Sequence, residues 1–107
     1  MTRAERITKY EQMLDRVNAA ARQTEEALAA YEAAQKDLRA LERYYTGKEW
    51  KGDFAADEKG LLPPDLKRGV LSEDGVDHAL ERCRALNERM AALLRKNEGR
   101  QSTTPPG

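Results

Sequence analysis

Residues 2 to 46 run without a glycine or a proline, and one apolar seam repeats along them with regular spacing. From Ile7 the positions Tyr10, Leu14, Val17, Ala21, Thr24, Leu28, Tyr31, Gln35 and Leu38 alternate steps of three and four. A repeat of that period belongs to a helix that lays one face against another helix, and a strand cannot satisfy it. A second row, Met13, Ala20, Ala27, Ala34 and Leu41, runs beside the seam at intervals of seven. Three apolar positions per heptad make a face wider than a two-stranded coil needs, which favours packing in a bundle. Pairs such as Glu5 with Lys9 and Glu32 with Lys36 lie on the opposite face, each worth ~0.2–0.5 kcal/mol. The pattern predicts a helix over residues 2–46, about 60 Å long, ended by Gly47 in a left-handed cap.

A second helix is predicted over residues 72–98. Ser72 suits its N-cap, and Glu73 and Asp74 fall in the first turn, where the helix dipole favours negative charge. Its stripe is Val76, Ala79, Leu80, Cys83, Leu86, Met90, Leu93 and Leu94. Asn87 interrupts that stripe, as Thr24 and Gln35 interrupt the first, and a buried polar residue of this kind can fix register. The tail, residues 99–107, has nothing to bury and is expected to be disordered.

Between the helices lies a joint, residues 47–71. Of the six aromatics, Tyr44, Tyr45, Trp50 and Phe54 fall within eleven residues at its start. Trp50 and Phe54 are four apart, as are Leu62 and Leu66, and then Leu66 and Val70. That spacing predicts two short amphipathic turns, punctuated by Gly60 and closed by Gly69, with Pro64 early in the second. The segment "DLKRGVLSED" (65–74) then reads as a helix end at Leu66, a glycine reversal at Gly69, two apolar anchors in Val70 and Leu71, and a new N-cap at Ser72. Trp50 is expected to plug a small core at the end of the hairpin, with a binding hot spot as the alternative reading.

Composition narrows the function classes. Nineteen basic and nineteen acidic side chains cancel, and no segment carries the basic footprint that phosphate neutralisation needs, so no nucleic-acid partner is expected. No window approaches the roughly eighteen apolar residues of a membrane span, and "MTRAERITKYEQMLDR" lacks the apolar core of a signal peptide. One cysteine and one histidine make neither an internal disulfide nor a zinc site. A cytoplasmic protein without a cofactor is the expectation.

The order YY, a short gap, EW, then "GDFAADEKG" and "LPPDLKRGVLSED" before an amphipathic helix resembles a family of small bacterial proteins known only as a domain of unknown function. The likeness runs from residue 5 to about 95, and the joint is its specific part. It implies an all-helical bacterial cytoplasmic protein, and it brings no activity, substrate or catalytic residue. Gly75 and the Pro-rich tail look like local features of this chain, the glycine weakening the helix start.

Candidate chemistry is confined to the joint. Asp53, Asp57, Glu58 and Asp65 could gather a hard cation, and the spacing of four sets Asp53 and Asp57 on one helical face. Capping and solvation of the joint account for the same carboxylates, and no catalytic or metal-binding residue is assigned. Lys67 and Arg68 suit the last turn of a short helix, with Asp65 or Asp53 as alternative partners for Arg68. His78 reads as a surface residue, and Cys83 as a small hydrophobe on the stripe.

The expected architecture is all-α: an antiparallel hairpin, or coiled coil, of two long helices joined by a structured aromatic loop with short helical turns. A second helix of about 25 residues turning back beside the first reaches roughly residue 20. Ile7, Tyr10, Leu14 and Val17, with Met13, are then left without an intramolecular cover, and such a stripe marks an interface. The expected function is a non-enzymatic interaction module that forms a homo-oligomer, a dimer favoured, or receives a helical partner. A joint folded back along the first helix would instead cover that stripe within a monomer. The alternative function is a small metal-dependent enzyme or factor that uses the joint's acids.

Overall fold

The computed structural model describes residues 1–72 and 74–100. Glu73 and the tail residues 101–107 lie outside the described residues, so the expectations of a first-turn charge at Glu73 and of a disordered tail are not addressed. The described chain is all-helical: α1 (Arg3–Tyr45), α2 (Lys48–Glu58), a 3-10 turn (Gly69–Leu71) and α3 (Gly75–Glu98). It divides into two units, one of residues 1–39 and one that begins at Ala40.

The first unit is helix alone. α1 opens on a capping box: Thr2 Oγ1 accepts from the Glu5 N–H at 3.1 Å, and the Thr2 N–H donates to Glu5 Oε1 at 3.4 Å. Two of the free amide groups of the helix start gain partners that way. The polar interruptions of the seam turn inward on their own helix. Thr24 Oγ1 donates to the Ala20 carbonyl at 2.7 Å, and Gln35 Nε2 to the Tyr31 carbonyl at 3.4 Å. Within one chain they therefore satisfy themselves by local back-bonding, and no register device is needed to account for them. No residue of α1 is buried.

The second unit carries the chain's small core, and here the expected joint needs correction. α1 and α2 are separated by only Thr46 and Gly47, and Gly47 is extended (φ −100°, ψ 176°) where a left-handed cap was expected. The first of the two short turns is a full helix of 11 residues. Its end is a Schellman motif: Leu61 N–H to the Ala56 carbonyl and Gly60 N–H to the Asp57 carbonyl, both at 3.0 Å. The left-handed residue this motif requires is Gly60 (φ +70°). The second expected turn is not helical. Pro63 to Leu66 form a β-turn closed by Leu66 N–H to the Pro63 carbonyl at 3.2 Å, with Pro64 at its first central position. Gly69 reverses nothing; it opens the 3-10 turn, closed by Leu71 N–H to the Arg68 carbonyl at 3.0 Å.

α3 begins at Gly75, three residues after the predicted start, and its N-cap position is Asp74, whose side chain makes no cap bond. Ser72 is extended (ψ 142°) and serves the helix start from outside it, its Oγ accepting from the Gly75 N–H at 2.9 Å. Gly75 is not a weak spot. A Cβ there would collide with the Gly69 carbonyl oxygen and lie 2.8 Å from Ser72 Oγ, so the first turn of α3 can nest against the 3-10 turn only with glycine. α2 and α3 each pack on that 3-10 turn. Leu71 (5% exposed) and Val76 (3%) are the buried residues among those described.

The two helical glycines Gly52 and Gly75 therefore make opposite predictions. Gly75→Ala should lower stability by about 1–3 kcal/mol through overpacking, despite alanine's better helix propensity. Gly52 lies within α2 with nothing within 4 Å of the place a methyl group would take, so Gly52→Ala should raise stability by about 0.5–1 kcal/mol. Urea midpoints of the two variants against the parent check both signs.

Candidate functional site

Two places on the chain hold the residues singled out above, one in each unit. In the second unit the aromatic joint is built around Trp50. Its ring stacks on Phe54, four residues along α2 (centroids 5.0 Å apart, planes 17° apart), and meets Tyr45 in a T-shaped contact at 5.0 Å and 76°. Its indole Nε1 donates to the Val70 carbonyl at 2.9 Å, tying α2 to the 3-10 turn. Tyr45, in the last turn of α1, donates from its hydroxyl to Asp77 Oδ2 of α3 at 2.9 Å. The joint thus has three aromatic rings in contact and two polar reaches that span the end of α1, α2, the 3-10 turn and the start of α3. Leu66, the expected helix end, is half exposed at 48%; of the two expected anchors Leu71 is buried and Val70 half-buried.

The acids of the joint are divided among separate partners. Tyr44 donates to Asp53 Oδ2 at 2.6 Å. Asp57 Oδ1 accepts from Arg68 Nη1 at 2.7 Å, so Arg68 pairs with neither Asp65 nor Asp53. Both members of that ion pair are substantially exposed, and it is worth under about 1 kcal/mol. Asp65 lies exposed on the β-turn, and Glu58 lies exposed at the end of α2. Among the described residues no three His, Cys, Asp or Glu side chains are gathered as a metal ion would need. A shallow open cleft of about 500 Å³ beside Tyr44 is lined by Arg43, Gly47, Lys48 and Glu49. Its walls carry both signs of charge, which selects no particular ligand.

In the first unit, the predicted partner-binding residues are displayed rather than packed. Ile7 is 55% exposed, Tyr10 57%, Leu14 52% and Val17 64%. Met13 is exposed as well, and the far half of the α3 stripe (Leu86, Met90, Leu93, Leu94) is in the same state. Cys83 is half-buried on α3, and His78 is exposed. Among the described residues no helix is long and apolar enough to cross a membrane.

The family model for the domain of unknown function DUF4298 matches residues 7–93, which takes in the stripe, the joint and most of α3. The chain belongs to the DUF4298 family. No curated protein and no solved structure matches it. Family membership therefore adds no reaction or ligand to the geometry.

One titration follows from the Tyr44–Asp53 contact. The hydrogen bond to the Asp53 carboxylate, then burial, then the charges of Asp53 and Glu49 push the Tyr44 phenol from its ordinary 10.0 up to about 12. Between those values the folded chain holds a proton that the unfolded chain has released. The contact's contribution to stability is complete below pH 10 and is lost as pH climbs through 12. Urea denaturation across that range should show a steeper alkaline loss in the parent than in Tyr44→Phe, which cannot ionise there.

Proposed function

We propose that this chain is a non-enzymatic helical interaction module that self-associates through the amino-terminal stripe of α1. The observation that carries the reading is the exposure of Ile7, Tyr10, Leu14 and Val17 together on one face of a helix that buries no residue. Large apolar side chains gathered in a row mark a surface that meets another protein.

The module in this reading is an antiparallel hairpin, coiled-coil in character, with α3 laid back along α1 from the joint. The Tyr45–Asp77 hydrogen bond sets the two helices level at the base. Continuing that register brings Leu86 to Leu94 opposite residues 28–36, which overlap the alanine-rich run "ALAAYEAAQ" (27–35). Large side chains on one helix against alanine on its neighbour interdigitate well. α3 has 24 residues and α1 has 43, so the hairpin leaves the first 20 or so residues of α1 without cover. Those residues carry Ile7, Tyr10, Leu14 and Val17 of the seam, and Met13, where the second row continues as Ala20, Ala27 and Ala34. With one cysteine, placed on an apolar stripe, the module suits a reducing cytoplasm.

Light scattering on the full chain, over a hundredfold range of concentration, tests this reading. The expected result is a mass that rises above 12.1 kDa with concentration, and a fall to the monomer for Leu14→Asp with its α-helical circular dichroism signature retained. A 12.1 kDa parent protein at every concentration overturns self-association.

A further inference from the structure

We infer that the occupant of the α1 stripe is the same stripe of a second copy, running antiparallel about a two-fold axis level with Gln12. This rests on the self-association proposed above and adds partner geometry to it. A two-fold interface must be complementary to itself, and the spacing of the exposed residues has that property. Ile7, Tyr10, Leu14 and Val17 stand five and two residues before, then two and five residues after, position 12. Turning one copy end over end sets Ile7 level with Val17 of the second copy and Tyr10 level with Leu14 of the second copy. Each layer then combines a larger side chain with a smaller one. A parallel pair in register would set Tyr10 against Tyr10 and Ile7 against Ile7.

The second row, of Met13 and Ala20, points the same way. In antiparallel helices like rows flank the seam, so Met13 meets Met13 of the second copy across the axis, and Ala20 lies beside the methylene stem of Arg6. In a parallel pair that row flanks the unlike one, and Met13 would face Asn18 of the second copy. Direction also decides what happens beyond the stripe. An antiparallel second helix leaves past Arg3 into open space, whereas a parallel one would run on along the face that the proposed hairpin gives to α3.

The available area suits a reversible contact. From the exposures of Ile7, Tyr10, Met13, Leu14 and Val17, the pair buries roughly 1,000 Å², the lower bound for a specific interface. One group opposes the arrangement: Glu11, on the other flank, is brought beside Glu11 of the second copy. That repulsion gives the two directions opposite signatures. In the parallel pair the same residue would face Arg6 of the second copy and be attracted.

Disulfide trapping tests the geometry in the full chain. Ile7→Cys and Val17→Cys are each placed in a Cys83→Ala background, mixed in equal amounts and equilibrated in a glutathione redox buffer. The expected product is the mixed Ile7→Cys/Val17→Cys disulfide, well above its statistical share. A second measurement needs no cysteine: Glu11→Gln should tighten the association of the otherwise unaltered chain a few-fold at low salt. Predominant homodisulfides, with Glu11→Gln weakening association, would overturn the antiparallel pairing and leave self-association standing. A heavier species without either disulfide would assign the stripe to another occupant, such as α3 of the second copy, and overturn the inference alone. A monomer at every concentration would overturn it together with the reading it rests on.

Discussion

The hydrogen bond from Trp50 Nε1 to the Val70 carbonyl is the contact on which the joint depends. A tryptophan brings a large apolar ring and a single donor, and a half-buried site must accommodate both. Here the ring is held between Tyr45 and Phe54, and the donor reaches a carbonyl in a 3-10 turn that has few internal bonds of its own. Without that bond the turn would have a less defined seat, and Leu71 and Val76, the buried pair, would lose the surface they close against. The burial of Leu71 and Val76, the buried apolar side chains among the described residues, contributes only about 3–6 kcal/mol. Directional contacts such as Trp50–Val70 and Tyr45–Asp77 therefore have an unusual share in holding the elements in place.

The two units differ in what they ask of other molecules. The joint satisfies its polar groups internally: Tyr44 with Asp53, Asp57 with Arg68, Ser72 with Gly75. Among the described residues no buried side-chain polar atom is left without a partner. The stripe of α1 is the reverse of the joint: its apolar side chains are exposed, as are those of the far half of α3. That division supports a reading in which the joint is scaffold and the stripe is the working surface. Carboxylates already committed to a tyrosine and an arginine are poorly placed to bind a cation as well, which weakens the metal-dependent alternative.

Much of the helical layout was legible because it rests on local chemistry. The heptad seam specified α1 to within a residue or so at each end, and Ser72 announced the start of α3 although the helix proper begins at Gly75. Two further signals were present and unread: the Thr2–Glu5 capping box and Gly60 as the left-handed residue of a Schellman motif. Both follow from short-range spacing. α2 was read only as a short amphipathic turn; with Trp50 and Phe54 anchoring one side, the helix runs through Gly52 for eleven residues. What could not be read depends on residues brought together by the fold. The reason for Gly75 is a carbonyl six residues earlier, and Asp57 rather than Asp65 meets Arg68 because the β-turn at Pro63–Leu66 carries Asp65 outward. Leu66 looked like the end of a short helix by its spacing from Leu62 and Val70, a helical period in a segment that is not a helix.

The loop between Gly60 and Arg68 is closed off at both ends by structure that does not need its middle. The Schellman motif seals α2 before it, and the 3-10 turn begins again after it. Leu61, Pro63, Pro64, Asp65 and Lys67 are all exposed, and lengthening a surface loop costs little closure entropy, about 0.6 kcal/mol per doubling. This makes the Pro64–Asp65 bond a permissive insertion point. An epitope or a fluorescent reporter grafted there would ride on the joint without disturbing Trp50 or occupying the stripe, and could follow the protein in a cell.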